Sequence, residues 1–317
     1  MAVGTGLALL LVALITASLL TLLIAHRASL SLEQSKFIPP GGLVEANGHT
    51  LHLYSEGSNR QAPVLVFLSG GGTTAPVYDF KPLYSLLSED YRIVVVEKLG
   101  YGYSQILEAP RDIDSLLADT RTALQRLGVI EPYVLIPHSM SGLEALRWAQ
   151  LYPEEIAGVI GIDMAIPSVY LEESIVPSSF IIMAMKIGAW MGVQRLPFII
   201  SVSNRALTAE EYEQARLLAY RNAVNPVIAA EASWVLRNAE KVELDGFSYL
   251  NKLPILLLVA NGSQNEIGSF WTQHQAAFAL KTDARIEYFD CGHYIHQHKP
   301  EQISNSIKDF LQLIAPS

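Results

Sequence analysis

The chain has 317 residues, a net charge of −9 and an apolar fraction of about half. That length suits one large α/β domain with an insertion, and the acidic balance, with no basic patch, gives no footing for nucleic-acid binding. A single cysteine, Cys291, excludes an internal disulfide.

The first residues stand apart from the rest. Ala2 to Ala25 carries no charge and is dominated by Leu, Ala, Val and Ile. About 20 apolar residues suffice for a helix to cross a bilayer. The expectation is a single transmembrane anchor over residues 1–26, with membrane lipid as its partner. A cleaved signal peptide is the competing reading. Against it stand the length of the run, the absence of a basic start and the lack of a small-residue cleavage site. Arg27 and Lys36 follow the span and no cation precedes it. Read literally, the positive-inside rule leaves the domain cytoplasmic, but two charges leave the side of the membrane open. Residues 27–42 read as a linker, with Pro39-Pro40-Gly41-Gly42 punctuating its end.

From residue 43 to 317 the pattern is alternating strands and helices. Leu43 to Ala46 and Thr50 to Tyr54 flank Asn47-Gly48, a hairpin signal. Val64 to Leu68, Arg92 to Glu97, Tyr133 to Ile136, Gly158 to Asp163, Pro254 to Val259 and Ala284 to Phe289 are apolar runs of strand length. Helical spacing recurs at 79–87, 112–127, 143–149, 270–280 and 301–313. This alternation predicts an α/β fold with a mostly parallel sheet and helices on both faces. No buried strand is evident between about 165 and 249. Ser178 to Met191 is apolar almost all round. Thr208-Ala209-Glu210-Glu211 is a capping box, and Asn225-Pro226 opens a further helix. The segment reads as a helical cap over the C-terminal edge of the sheet, where ligands bind in such folds. The apolar residues Phe180, Met183, Met185, Trp190 and Met191 are expected chiefly to pack the cap on the sheet, with lining of an apolar pocket as the alternative.

Four motifs carry chemistry. Ser69-Gly70-Gly71-Gly72 follows the Val64 strand. Glu97-Lys98-Leu99-Gly100-Tyr101-Gly102-Tyr103-Ser104 follows the next. Pro137-His138-Ser139-Met140-Ser141-Gly142 joins the Tyr133 strand to a helix. Cys291-Gly292-His293 follows the last strand. In this order they resemble the α/β-hydrolase superfamily, closest to its esterase, lipase and prolyl-iminopeptidase-like branch with a helical lid. The resemblance spans about 43 to 313. It implies that 137–142 is the nucleophile elbow, with Pro137 and Ser141 standing where the pattern has glycines. Glu97 replaces the aspartate of the second motif, and Ser69 the histidine of the first.

A serine hydroxyl is a weak nucleophile until an imidazole takes its proton, and the imidazole needs a group to orient it. Ser139 is the expected nucleophile. His293 is the expected base; a metal role shared with His296 and His298 lacks complementary ligands at metal-site spacing, so no metal is expected. The family usually places the acid in the loop after the Pro254 strand, but 260–266 holds no aspartate. Asp163, at the end of the Gly158 strand, is the preferred acid, Glu266 the alternative, and a Ser-His dyad a third reading. The N–H groups of Met140 and Gly71 are the expected oxyanion donors.

Together these point to a membrane-anchored serine hydrolase, carboxylesterase- or lipase-like, that cleaves an ester or amide of apolar character without a cofactor. Serine at the elbow disfavours dehalogenase and epoxide hydrolase chemistry. A prolyl-iminopeptidase-like peptidase would use Glu172, Glu173 or Glu231 in the lid to hold a substrate amine. A binding protein without turnover is the reading from another class.

Overall fold

A computed structural model describes residues 2–59, 62–173, 175–200, 202–203, 205–262 and 267–314. Eight strands form one sheet: β1 (Gly42–Ala46), β2 (His49–Glu56), β3 (Val64–Leu68), β4 (Ile93–Glu97), β5 (Tyr133–Pro137), β6 (Ile156–Ile162), β7 (Ile255–Ala260) and β8 (Arg285–Phe289). Their spatial order is β1-β2-β4-β3-β5-β6-β7-β8. The β1–β2 and β2–β4 pairs are antiparallel and the others parallel. Asn47 and Gly48 both have positive φ, which a two-residue hairpin matched to strand twist requires. Every residue of β3, β4 and β5 is buried. Successive side chains feed opposite layers: Val64, Val66 and Leu68 join one core, Leu65 and Phe67 the other. Each such side chain contributes about 2 kcal/mol by leaving water, so these runs set the centre of the sheet.

The order reverses at β3. The chain leaves β3 for β4 on one side and returns to β5 on the other. The glycine turn after β3 and the sharp turn after β5 therefore face each other at a topological switch point. Between β6 and β7 lies the cap, with helices Pro167–Glu172, Ser179–Met191, Ala209–Asn222 and Pro226–Leu244. The Thr208–Glu211 capping box is formed on both sides, and Asn225 accepts the N–H groups of Val227 and Ile228.

Two regions differ from expectation. The 79–87 helix is instead two short helical pieces, Pro76–Asp79 and Lys81–Tyr84. The Ser179–Met191 helix has no buried residue. Phe180, Met183 and Trp190 are exposed, so they do not pack the cap on the sheet. The other cap helices fill that contact: Val227, Ile228 and Val235 of Pro226–Leu244 are buried in their place.

The N-terminal helix spans Ala2–Glu33, and a short 3-10 turn carries it to Lys36. Arg27 to Glu33 is thus helical, where a linker was expected. The cap supplies the reason. Arg195 donates to both carboxylate oxygens of Glu33, at 2.9 and 2.6 Å, and to His26 at 2.8 Å. Arg27 lies over the Trp190 ring, 5.2 Å from its centroid. The apolar part of this helix is long enough to cross a membrane, and none of residues 5–25 is buried.

Candidate active site

Ser139 sits in the tight turn between β5 and the helix Gly142–Leu151, at φ 53°. A non-glycine residue in the left-handed region is costly and is maintained only when its surroundings hold it. Here the Ser139 carbonyl accepts the Ala165 N–H at 2.8 Å, tying the turn to the end of β6. A Cβ on Gly142 would lie 2.2 Å from the Ala165 oxygen, so only glycine admits that approach. Ser141, in the position of a pattern glycine, donates its hydroxyl to the Leu68 and His138 carbonyls at 2.7 and 2.8 Å. Its extra atom is thereby accommodated. Pro137 ends β5, where a missing N–H is tolerated.

Asp163 follows β6, is fully buried and also has positive φ, 43°. Its Oδ2 lies 2.6 Å from His293 Nδ1. Its Oδ1 accepts the Ala260 N–H at 3.1 Å and the Gln275 side-chain N–H at 3.2 Å. Trp271 donates its indole N–H to the Asp163 carbonyl at 3.3 Å and stands edge-on to His293. Three parts of the chain thus fix one carboxylate against one imidazole. The alternative acid, Glu266, lies outside the described residues. Gln275 and Trp271, on the helix Ser269–Thr282, were not legible as site residues, since nothing in a surface-helix pattern points them at a strand end 112 residues earlier.

His138, the chain neighbour of Ser139, is buried and lies against His293 with ring centroids 4.6 Å apart and the rings tilted by 38°. Its Nε2 is 3.3 Å from the His293 carbonyl. Burial, and then the nearby His293 and His296, hold its pKa well below the ordinary imidazole value, so it is neutral. His296 pairs its Nε2 with Asp79 at 2.9 Å. Among the described residues no cluster of His, Cys, Asp and Glu has a metal-binding arrangement.

The glycine turn after β3 presses on the elbow. A Cβ on Gly70 would come within 2.8 Å of Ser139 Cβ, and one on Gly71 within 3.0 Å of Met140 Cε. Gly71 and Met140 both line a cavity of about 1160 Å³, whose far wall is the cap. Tyr101 lines it too, and its hydroxyl accepts the Gly72 N–H at 3.2 Å, bracing the turn. Glu97 is committed to structure: it meets His52 Nδ1 at 2.8 Å and accepts the Tyr103 and Val77 N–H groups at 2.7 and 3.1 Å.

Behind the elbow lies a buried charge cluster. Lys98 and Arg111 donate to the two oxygens of Glu231 at 2.6 and 2.7 Å. Burial alone raises the Glu231 pKa, but the two cations outweigh it and hold the carboxyl at about 2. Glu144 beside them is pushed up, chiefly by burial. Glu172, Glu173 and Glu231 do not line the cavity, and Glu231 has both oxygens engaged, so these three do not offer a substrate amine its partner.

A family profile described as alpha/beta hydrolase fold matches residues 63–190. The uncharacterized protein YbdG of Bacillus subtilis is 32% identical over 96% of this chain and 95% of its own length. The chain belongs to the α/β-hydrolase superfamily. Hydrolase activity goes with that membership. Among solved structures, epoxide hydrolase A of Mycobacterium thermoresistibile superposes at a TM-score of 0.64, 22% identical, over 87% of this chain and 98% of its own. A membrane phospholipase A described as a bacterial virulence factor superposes at 0.58, 19% identical, over 98% of each chain.

Proposed function

We propose that this hydrolase is a membrane-anchored serine esterase acting on an apolar ester. The observation that carries the reading is the Asp163–His293 contact at 2.6 Å, formed beside a serine held at positive φ on the elbow. In this reading Asp163 fixes the proton on His293 Nδ1, leaving Nε2 to take the Ser139 proton as the hydroxyl attacks the carbonyl. The N–H groups of Met140 and Gly71 receive the developing oxyanion. His293 returns the proton to the leaving alkoxide, and water reverses the sequence on the acyl-enzyme.

Ester is favoured over peptide because none of the cap carboxylates suited to a substrate amine faces the cavity. Anchoring is supported by the uncharged N-terminal helix, and by alignment of the whole chain on a protein whose name states that it is a membrane phospholipase. Serine at the elbow leaves epoxide opening through an aspartyl ester without its nucleophile. Labelling with a fluorophosphonate tests the reading. Wild type should be labelled and hydrolyse p-nitrophenyl esters, and Ser139→Ala should do neither. An unlabelled wild type with no esterase activity sinks it in favour of a binding protein.

A further inference from the structure

We propose that the Ser179–Met191 helix and the Leu196–Ile199 turn lie in the membrane surface, so that lipid-borne esters enter the cavity from the bilayer. The inference rests on the anchored-esterase reading and adds the side from which substrate arrives.

The helix is apolar nearly all round, yet none of its residues is buried. Phe180 is 82% exposed and Phe198 103%. Ile181, Met183, Ile187, Trp190 and Leu196 continue the surface between them. A contiguous apolar face of this extent on a soluble protein marks an interaction site. Its position says what covers it. The uncharged stretch of the N-terminal helix ends at Ala25, and the next two residues, His26 and Arg27, are held by Arg195, in the 3-10 turn just past the Ser179–Met191 helix, and by Trp190 in its last turn. A bilayer crossed by the anchor therefore begins where the apolar face lies.

Charge agrees with that placement. Between Glu173 and Glu210 the chain has no acidic residue, although the whole chain is acidic; Arg195 there is paired with Glu33, so Lys186 and the exposed Arg205 carry the positive charge of this face. Cations beside an apolar helix suit an anionic lipid surface. The same face reaches the active site. Met185 and Ile199 are each about half exposed and also line the cavity. An acyl chain leaving the bilayer there meets an apolar wall that leads to Met140 and Gly71.

The test uses the full chain in vesicles of phosphatidylcholine and phosphatidylglycerol. Phe180→Trp and Phe198→Trp are placed in a Trp190→Phe parent, with Ile130→Trp as control at the opposite end of the sheet. Insertion to roughly 5–10 Å predicts that acyl-brominated lipid quenches the two cap tryptophans at least about twofold relative to the parent. The control should be unchanged. In parallel, Phe180→Glu with Phe198→Glu should lower turnover of a long-chain ester carried in vesicles by about tenfold or more. Turnover of dissolved p-nitrophenyl butyrate in detergent should stay within about twofold, since neither residue lines the cavity. Protein that floats with vesicles but shows no quenching overturns the inference and leaves the anchor standing. If two copies are then found per nanodisc, the face is a self-association surface. Protein that does not float overturns the anchor and the inference together. Quenching without any esterase activity supports the membrane placement and removes the catalytic reading instead.

Discussion

Replacing Asp163 by asparagine changes one atom of the site, and its effect follows from which oxygen holds which partner. Oδ1 accepts two donors, the Ala260 N–H and the Gln275 side-chain N–H. An asparagine must keep its carbonyl oxygen there, because an amide NH₂ would face two N–H groups. Its NH₂ is then turned to His293 Nδ1, the partner of Oδ2. That nitrogen becomes an acceptor, and the proton moves to Nε2, the atom that has to accept from Ser139. The ring is held in the wrong tautomer and the imidazolium loses its counter-charge. The expected fall in kcat is about three to four orders of magnitude. The assay is steady-state hydrolysis of p-nitrophenyl butyrate, backed by the second-order rate of fluorophosphonate labelling, with Tm as the check on folding. Glu266→Gln in the same assay should stay within about threefold of wild type, since Asp163 already holds His293 Nδ1. A well-folded Asp163→Asn that keeps kcat within tenfold, or a Glu266→Gln that shows the large loss, refutes the assignment of the acid.

Other outcomes test the surrounding structure. Ser139→Gly and Ser139→Ala should both be inactive, but the glycine variant should be the more stable by about 1 kcal/mol in urea titration, since only it relieves the positive φ. Equal stabilities would mean that the turn carries no such cost. Gly70→Ala should lower kcat at least about a hundredfold, because its Cβ meets Ser139 Cβ, whereas Gly71→Ala meets only the movable tip of Met140 and should cost about tenfold or less; the reverse order would contradict the packing of this turn. Glu231→Gln should destabilise the fold by about 3–5 kcal/mol at pH 7 by leaving Lys98 and Arg111 without a buried anion. Because the folded Glu231 pKa is depressed, its contribution is complete above about pH 5 and is lost as pH falls towards 2. The gap between wild type and Glu231→Gln should therefore narrow in acid, and a gap that widens below pH 4 would show that the sign is wrong.

The sheet was legible because its strands are written as unbroken apolar runs, and a run such as Val64 to Leu68 has few other places to go. The elbow was legible from its setting more than from its own residues. Ser141 departs from the small-residue pattern, and its tolerance depends on two carbonyls, of Leu68 and His138, that no local reading supplies. Asp163 stood out as the candidate acid because 260–266 lacks an aspartate. Its grip by Gln275 and Trp271 was not legible, because those contacts join chain segments more than 100 residues apart. The cap helix shows a different limit. Hydropathy states that Ser179–Met191 avoids water, and packing on the sheet was the natural inference. The structure leaves the helix unburied, since composition does not say which apolar medium receives it. Glu231 read as a lid carboxylate that could hold a substrate amine, when its partners are Lys98 and Arg111.

The buried Glu231 tie divides the roof of the cavity into two walls of unequal compliance. Pro226–Leu244 is bolted down by Lys98, Arg111 and the bond from Asn225 to the Gly100 carbonyl at 2.7 Å. Moving it would strip three charges of their partners. Ser179–Met191 has no buried side chain to extract, and past its end Gly192 lies close against His26. The loosely held helix is therefore the wall expected to yield first. If the chain is the esterase proposed above, a bulky acyl group would be accommodated by displacement of that wall, while the tied wall would keep its distance from Met140 and limit the width of the group on its side.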